Sequence, residues 1–205
     1  MNNIKNIIFD LGGVLIDWNP EYVYLEVFQG DRKKMKWFFD EVCTMDWNEN
    51  QDAGYSIHQA TEERVKMFPQ YEKWIRMYYG RWEEMLGESI QETVEIFDKF
   101  VANPAFRVVA LTNWSAETFP VALEKFEFLH RFEGIVVSGI EKNRKPFPEV
   151  YQLTLDRFGF QPKDCLFIDD NLRNIKAASA MEIETIHFTS PNDLKQNLVK
   201  KGIIL

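Results

Sequence analysis

Apolar residues in this chain come in short continuous runs that stop on small or acidic residues. Ile7, Ile8 and Phe9 end at Asp10, just before Gly12-Gly13. Val108 to Leu111 run into Thr112-Asn113, Ile135 to Val137 into Ser138-Gly139, and Cys165 to Ile168 into Asp169-Asp170-Asn171. A less purely apolar run, Glu184 to Phe188, leads to Thr189-Ser190-Pro191. Uninterrupted runs of this length predict parallel strands covered on both faces, because an exposed face would show as alternation. Between them the period changes. Ile90, Val94, Phe97 and Val101 fall on one helix face; Val150, Leu153 and Phe158 suggest another helix begun near Pro148; Leu172, Ile175 and Ala178 fit a third. Strands alternating with helices predict an α/β fold whose parallel sheet is joined by right-handed crossovers.

Residues 16–87 break that rhythm, with few strand signals and several helical ones. Tyr71, Trp74, Ile75, Tyr78, Trp82 and Met85 keep helical spacing and read as a packing stripe. A helical insertion after the first strand accounts for this, dividing the chain into a core of residues 1–15 and 88–205 and an inserted unit of residues 16–87. The polar segment from Asp46 to Gly54 reads as a loop, a frequent place for specificity residues. Trp18, Trp47 and Asn48 are accordingly candidates to line a substrate pocket from the insertion's side. Asp17 reads as a turn or helix cap.

Composition narrows the function classes. A formal net charge of −8 with no basic stripe argues against binding a nucleic-acid backbone. No apolar run approaches the length needed to span a bilayer, and the N-terminal residues lack signal-peptide architecture, so a cytoplasmic protein is expected. Cys43 and Cys165 form no CxxC pair and read as apolar fillers. His58, His130 and His187 are scattered without metal-ligand spacing.

In open parallel sheets, ligands bind beyond the carboxyl ends of the strands. The predicted strands end at Asp10, Thr112-Asn113, Ser138 and Asp169-Asp170, and Lys145 follows the third of the long runs. Three carboxylates converging on one crevice require a cation, and hard oxygen ligands suit Mg²⁺. Lys145 would offset the remaining charge, and the Thr112 hydroxyl with nearby N–H groups would bind phosphoryl oxygens.

Phe9-Asp10-Leu11-Gly12-Gly13-Val14-Leu15, Leu111-Thr112-Asn113, Arg144-Lys145-Pro146 and Phe167-Ile168-Asp169-Asp170-Asn171 resemble, in order, the four motifs of the haloacid dehalogenase superfamily. The resemblance implies a three-layer Rossmann-like parallel sheet core with an inserted helical cap domain. It further implies an Mg²⁺-dependent phosphatase acting on a small phosphorylated metabolite, with Asp10 forming an aspartyl-phosphate that water hydrolyses. Thr112, Asn113 and Lys145 would bind the phosphate. Asp10, Asp170 and the Gly12 carbonyl would hold the metal, with Asp169 acting behind them or through water.

Two positions depart from the pattern. Gly12 stands where the family's phosphatases usually carry a second aspartate as general acid and base. Such help is typically worth ~10²–10⁴ in rate, so its absence points to substrates whose leaving group departs easily, such as anomeric sugar phosphates. Asn174 stands where many members have aspartate. The glycine variant resembles a branch that includes a bacterial α-D-glucose-1-phosphate phosphatase; the N-terminal phosphatase domain of soluble epoxide hydrolases shares the acidic pair but keeps the aspartate. Two other functions fit parts of the pattern: a metal-free 2-haloacid dehalogenase, and a regulatory module that binds but turns over little.

Overall fold

The computed structural model describes residues 4–203. Five parallel strands form the main sheet: β1 (Asn6–Phe9), β4 (Arg107–Thr112), β5 (Ile135–Val137), β6 (Cys165–Asp169) and β7 (Glu184–His187), in the order β5-β4-β1-β6-β7. The two remaining strands, β2 (Ile16–Trp18) and β3 (Leu86–Ser89), pair antiparallel. All five runs read as strands from the sequence lie in the main sheet.

The reason those runs are continuous is visible in their packing. Along β1, Ile7 and Phe9 enter one core cluster and Ile8 the other. Val108 and Ala110 alternate likewise with Val109 and Leu111, and Leu166 and Ile168 with Cys165 and Phe167. The first cluster is closed by the helices Gln91–Ala102 and Pro191–Lys200, where Phe97 and Phe100 pack edge-on against Phe9 with centroids 6.1 and 6.0 Å apart. The second is closed by Pro148–Phe158 and Leu172–Ala180. Helices on both faces make three layers, the Rossmann-like arrangement. Strand order reverses direction at β1, so the topological switch point lies beside Asp10.

Between β2 and β3 the chain is helical, and these helices pack around their own cluster of Val23, Tyr24, Phe38, Trp47, Ile75 and Tyr78. Three features here differ from the sequence reading. The short strands β2 and β3 run side by side where the chain leaves and re-enters the sheet unit; their partners are about 70 residues apart, beyond any local signal. The stripe from Tyr71 to Met85 is not one helix but a helix Glu72–Gly80 flanked by 3₁₀ turns, the break falling at Gly80. The segment expected to be a loop forms the helix Met45–Asp52, whose N-cap Thr44 accepts from the Trp47 N–H at 3.2 Å. That helix is polar because its buried positions, Asn48, Glu49 and Gln51, include groups that meet polar partners rather than an apolar core.

Both cysteines are buried free thiols. Among the described residues, no helix is long and apolar enough to cross a membrane.

Candidate active site

Asp10 lies one residue past β1, and its main-chain N–H continues the ladder to Ile168. Its carboxylate is fixed from two sides: Oδ1 accepts from the Leu11 N–H at 2.7 Å, and Oδ2 lies 2.9 Å from Lys145 Nζ. Lys145 is completely buried, and its ammonium also meets Asp169 Oδ2 at 2.7 Å and the Leu111 carbonyl at 2.9 Å. Its donors therefore have three acceptors. Asp169 is equally buried and accepts from the Asn171 N–H at 2.7 Å and from Asn174 Nδ2 at 3.1 and 3.0 Å. Asn174, the second departure from the motif, thus serves to hold this carboxylate. Asp170 is exposed, and its carbonyl is bonded to His187 Nε2 at 2.9 Å, a contact the scattered histidines gave no hint of.

Carboxylate oxygens of Asp10, Asp169 and Asp170 all lie within 4.8 Å of one another. The electrostatic consequence is strong. Burial pushes the Asp10 carboxyl well above the usual range; Lys145 opposes this, while Asp169 and Asp170 add to it. Burial and Asp169 likewise raise Asp170. Lys145 is pulled down by burial, but Asp10 and Asp169 outweigh this and hold it above the ordinary lysine value. Three clustered oxygen donors with one ammonium retain excess negative charge, and this donor set fits a hard divalent cation. Backbone shape contributes too. Gly13 has φ +75°, and a Cβ there would lie 2.3 Å from Asp170 Oδ2. Gly13→Ala is therefore expected to cost about 1–2 kcal/mol from backbone conformation alone and to displace Asp170. Weakened divalent-cation binding in calorimetry, with a lowered melting temperature, would be the sign; unchanged binding would count against the close approach.

A cavity of about 230 Å³ opens at this point, lined by both units of the chain. Asp10, Gly12, Asn113 and Asp170 line it from the strand ends, and Trp18, Asn48, Tyr79 and Trp82 from the ribbon and the inserted segment. Gly12 leaves room: a Cβ there would meet nothing within 4 Å. Thr112 and Lys145 are buried and are not part of the lining, so the lysine reaches Asp10 from the protein interior. Asn113 does face the cavity, yet both ends of its amide are engaged by Lys145: Nδ2 donates to the Lys145 carbonyl and Oδ1 accepts from its N–H, each at 2.9 Å. This residue locks two strand-end loops together. Trp47, expected at the pocket, sits instead inside the helical cluster with its indole N–H donating to the Ala60 carbonyl at 3.3 Å. Its ring lies under the Arg64 guanidinium, 5.5 Å from the ring centre, and borders a separate cavity with Asn50, Gln51 and Glu63, away from Asp10. Asp17 accepts from the Tyr22 hydroxyl and does not line the cavity.

Sequence reasoning missed several lining residues. Trp82 reads as part of the packing stripe and does pack on Trp114 with centroids 5.7 Å apart, but it also borders the cavity, as does Tyr79, which falls off the helical spacing and carries no reading. Asp52 was hidden in the supposed loop. Glu49, from the same helix, pairs with Arg144 at 3.0 Å and with Arg173, tying the inserted unit to the two motif loops beside the site. Helical periodicity in polar residues would have been the only available signal.

Comparison with known proteins adds three findings. The family described as "Haloacid dehalogenase-like hydrolase" matches residues 7–188. Among relatives, a phosphorylated carbohydrates phosphatase of Thermotoga maritima is 24% identical over 188 residues, covering 90% of this chain and 84% of its own. A sesquiterpene phosphatase of Aspergillus oryzae is 27% identical over 189 residues, covering 90% of each. Among solved structures, a HAD-family enzyme of Bacteroides thetaiotaomicron in complex with magnesium and inorganic phosphate is 25% identical, with a TM-score of 0.70 over 91% of this chain and 95% of that one. The L-2-haloacid dehalogenase of Xanthobacter autotrophicus shares the fold at a TM-score of 0.60 and 15% identity, over 98% of this chain and 85% of that one.

Proposed function

This chain is a hydrolase of the haloacid dehalogenase-like family, and from that premise we propose that it is an Mg²⁺-dependent phosphatase of small phosphorylated metabolites, working through an aspartyl-phosphate on Asp10. The observation that carries the proposal is the packing of three carboxylates around one buried lysine at the end of the central strand. Asp10, Asp170 and the Gly12 carbonyl would hold the ion, with Asp169 behind them. Bound Mg²⁺ supplies positive charge to the phosphoryl oxygens and to the acidic cluster. The magnesium and phosphate in the Bacteroides thetaiotaomicron enzyme support the same assignment here.

The residues divide the work as follows. Lys145 and the Leu11 N–H fix both oxygens of Asp10, so the nucleophile is held in one orientation before substrate arrives. An Asp10 oxygen attacks phosphorus while the bond to the leaving oxygen breaks; water then attacks the aspartyl-phosphate, releasing phosphate and restoring the carboxylate. Lys145 acts on the phosphate side through its charge, from behind Asp10, rather than by lining the cavity. Residues 16–87 act as the cap, excluding water from the cavity.

For the substrate, the walls are informative. Trp18, Trp82 and Trp114 offer apolar faces, while Asn48, Ser115 and Thr118 offer hydrogen-bonding groups. Such a mixture suits a sugar ring, and the carbohydrate phosphatase among the relatives agrees with it. Gly12 taken alone favours an easily expelled leaving group, as in an anomeric sugar phosphate. The acidic trio also supports phosphoryl transfer over dehalogenation, because a free 2-halo carboxylate would meet like charges there.

Phosphate release from glucose 1-phosphate, acetyl phosphate and glycerol phosphate, with Mg²⁺ and with chelator, tests the proposal. Release that requires Mg²⁺ is expected, and none from any substrate would sink it. Mg²⁺ at a hundred times its Kd should also stabilise the protein by about 2.7 kcal/mol, a rise in melting temperature of about 5–10 °C for a chain of this size.

A further inference from the structure

Gly12 leaves the chemistry without a proton donor at the usual place, and the cavity lining shows what else is available. Among the described lining residues, the ionisable side chains are Asp10, Asp170, Asp52 and Tyr79. Asp10 and Asp170 belong to the acidic trio. Tyr79 is pushed far above the ordinary tyrosine range, chiefly by burial, and its hydroxyl already donates to Asn48 Oδ1 at 2.9 Å. Only Asp52 is left to exchange protons with a bound substrate.

We propose that Asp52, at the end of the helix Met45–Asp52, is the general acid and base of this enzyme, taking over from the inserted segment the role that Gly12 cannot perform. This rests on the phosphatase reading above.

Asp52 is held as such a group must be. Its Oδ2 accepts from Asn48 Nδ2 at 3.1 Å, and the Ser115 main chain in the loop after β4 acts on its carboxylate to lower its pKa. Its carbonyl accepts from Ser138 Oγ at 2.5 Å, so the helix end is pinned to the strand ends. The groups acting on the carboxyl are known from each side. Glu49 on its own helix raises it, while Arg144 and Lys145 lower it; Tyr78 and Tyr79 on the helix Glu72–Gly80 feel its charge. Burial is the largest influence, and together these push Asp52 up to about 7. A carboxyl raised this far toward neutrality is suited both to give and to take a proton, the condition under which acid–base catalysis is most effective. The empty space at Gly12 leaves a path for the leaving oxygen or a water.

The proton balance closes. In the first step the Asp52 carboxyl gives its proton to the leaving oxygen as the phosphorus–oxygen bond breaks and Asp10 bonds to phosphorus. In the second, the Asp52 carboxylate takes a proton from the attacking water as the Asp10–phosphorus bond breaks, which returns both residues to their starting states.

The test compares kcat/KM of wild type and Asp52→Asn on glycerol phosphate, whose alkoxide leaves badly, and on acetyl phosphate, whose carboxylate leaves without help. The expected loss is ~10²–10⁴-fold on the first and under about tenfold on the second. The limb near pH 7 in the wild-type profile on glycerol phosphate should vanish in the variant. Adding Gly12→Asp to Asp52→Asn should recover activity on glycerol phosphate, which a merely misfolded variant would not do. Equal losses on both substrates, or no loss on either, overturn the assignment while the phosphatase stands. Absence of release by the wild type from these two and from glucose 1-phosphate overturns the phosphatase reading and this role with it.

Discussion

Asp10→Asn is expected to lower turnover by at least about 10⁴-fold, the scale on which loss of a nucleophile acts in other covalent hydrolases, while leaving the fold intact. Asparagine has the same shape as aspartate, and its carbonyl oxygen can still accept from Lys145 or from the Leu11 N–H. What disappears is the anionic oxygen that the proposed mechanism directs at phosphorus. One negative charge also leaves a place where Asp169 and Asp170 oppose it. In chelator, therefore, the variant should melt no lower than wild type. A melting temperature at or above wild type together with lost turnover would identify Asp10 as chemical rather than structural. Retained turnover on every substrate of the panel would remove it from the mechanism, whatever the metal requirement.

Lys145→Met is expected to have the largest effect on stability. Methionine fills nearly the same volume, so the substitution isolates the charge from the packing. Wild-type Nζ satisfies Asp10 Oδ2, Asp169 Oδ2 and the Leu111 carbonyl with no exposure to solvent. Without the ammonium, Asp169 is a buried carboxylate facing another acid, held only by the Asn171 N–H and the Asn174 amide. Breaking a buried pair in this way costs about 3–5 kcal/mol, or about 6–20 °C in melting temperature for a chain of this size. Urea denaturation in chelator measures it directly, and Mg²⁺ should return part of the loss. Arginine should not rescue the site, because a planar guanidinium cannot occupy the position of a compact ammonium between three acceptors. A change below about 1 kcal/mol, the usual value for exposed pairs, would mean that Lys145 does not organise the acidic cluster.

These two residues mark how much of the site was legible before the structure. Asp10 announces itself locally, as the first polar residue after a run of buried β-prone ones, followed by the glycines that let the chain turn. Lys145 does not. Its motif could be read, but its pairing with an aspartate 135 positions earlier depends on β1 and β4 lying side by side, with Asn113 tying the lysine's own backbone into place. The Asp46–Gly54 segment shows the opposite failure. Its helix was read as a loop because hydrophobic periodicity is blind to a helix whose buried side is polar. Asn48, Glu49 and the Asp52 carbonyl are satisfied by Tyr79, Arg144, Arg173 and Ser138, which come from distant parts of the chain.

What the sequence determined by itself was the parallel sheet and which residue types stand at its strand ends, because strand formation and residue type are local properties that a run of side chains expresses directly. Only the tertiary structure decided which side chains face the cavity. It buried Trp47 among the inserted helices, turned Tyr79 and Trp82 toward the site, and brought Asp52 to the cavity that Asp10 lines. Those outcomes depend on how two separately packed units meet, and that meeting is set by ion pairs and hydrogen bonds between residues far apart in sequence, which no local pattern records.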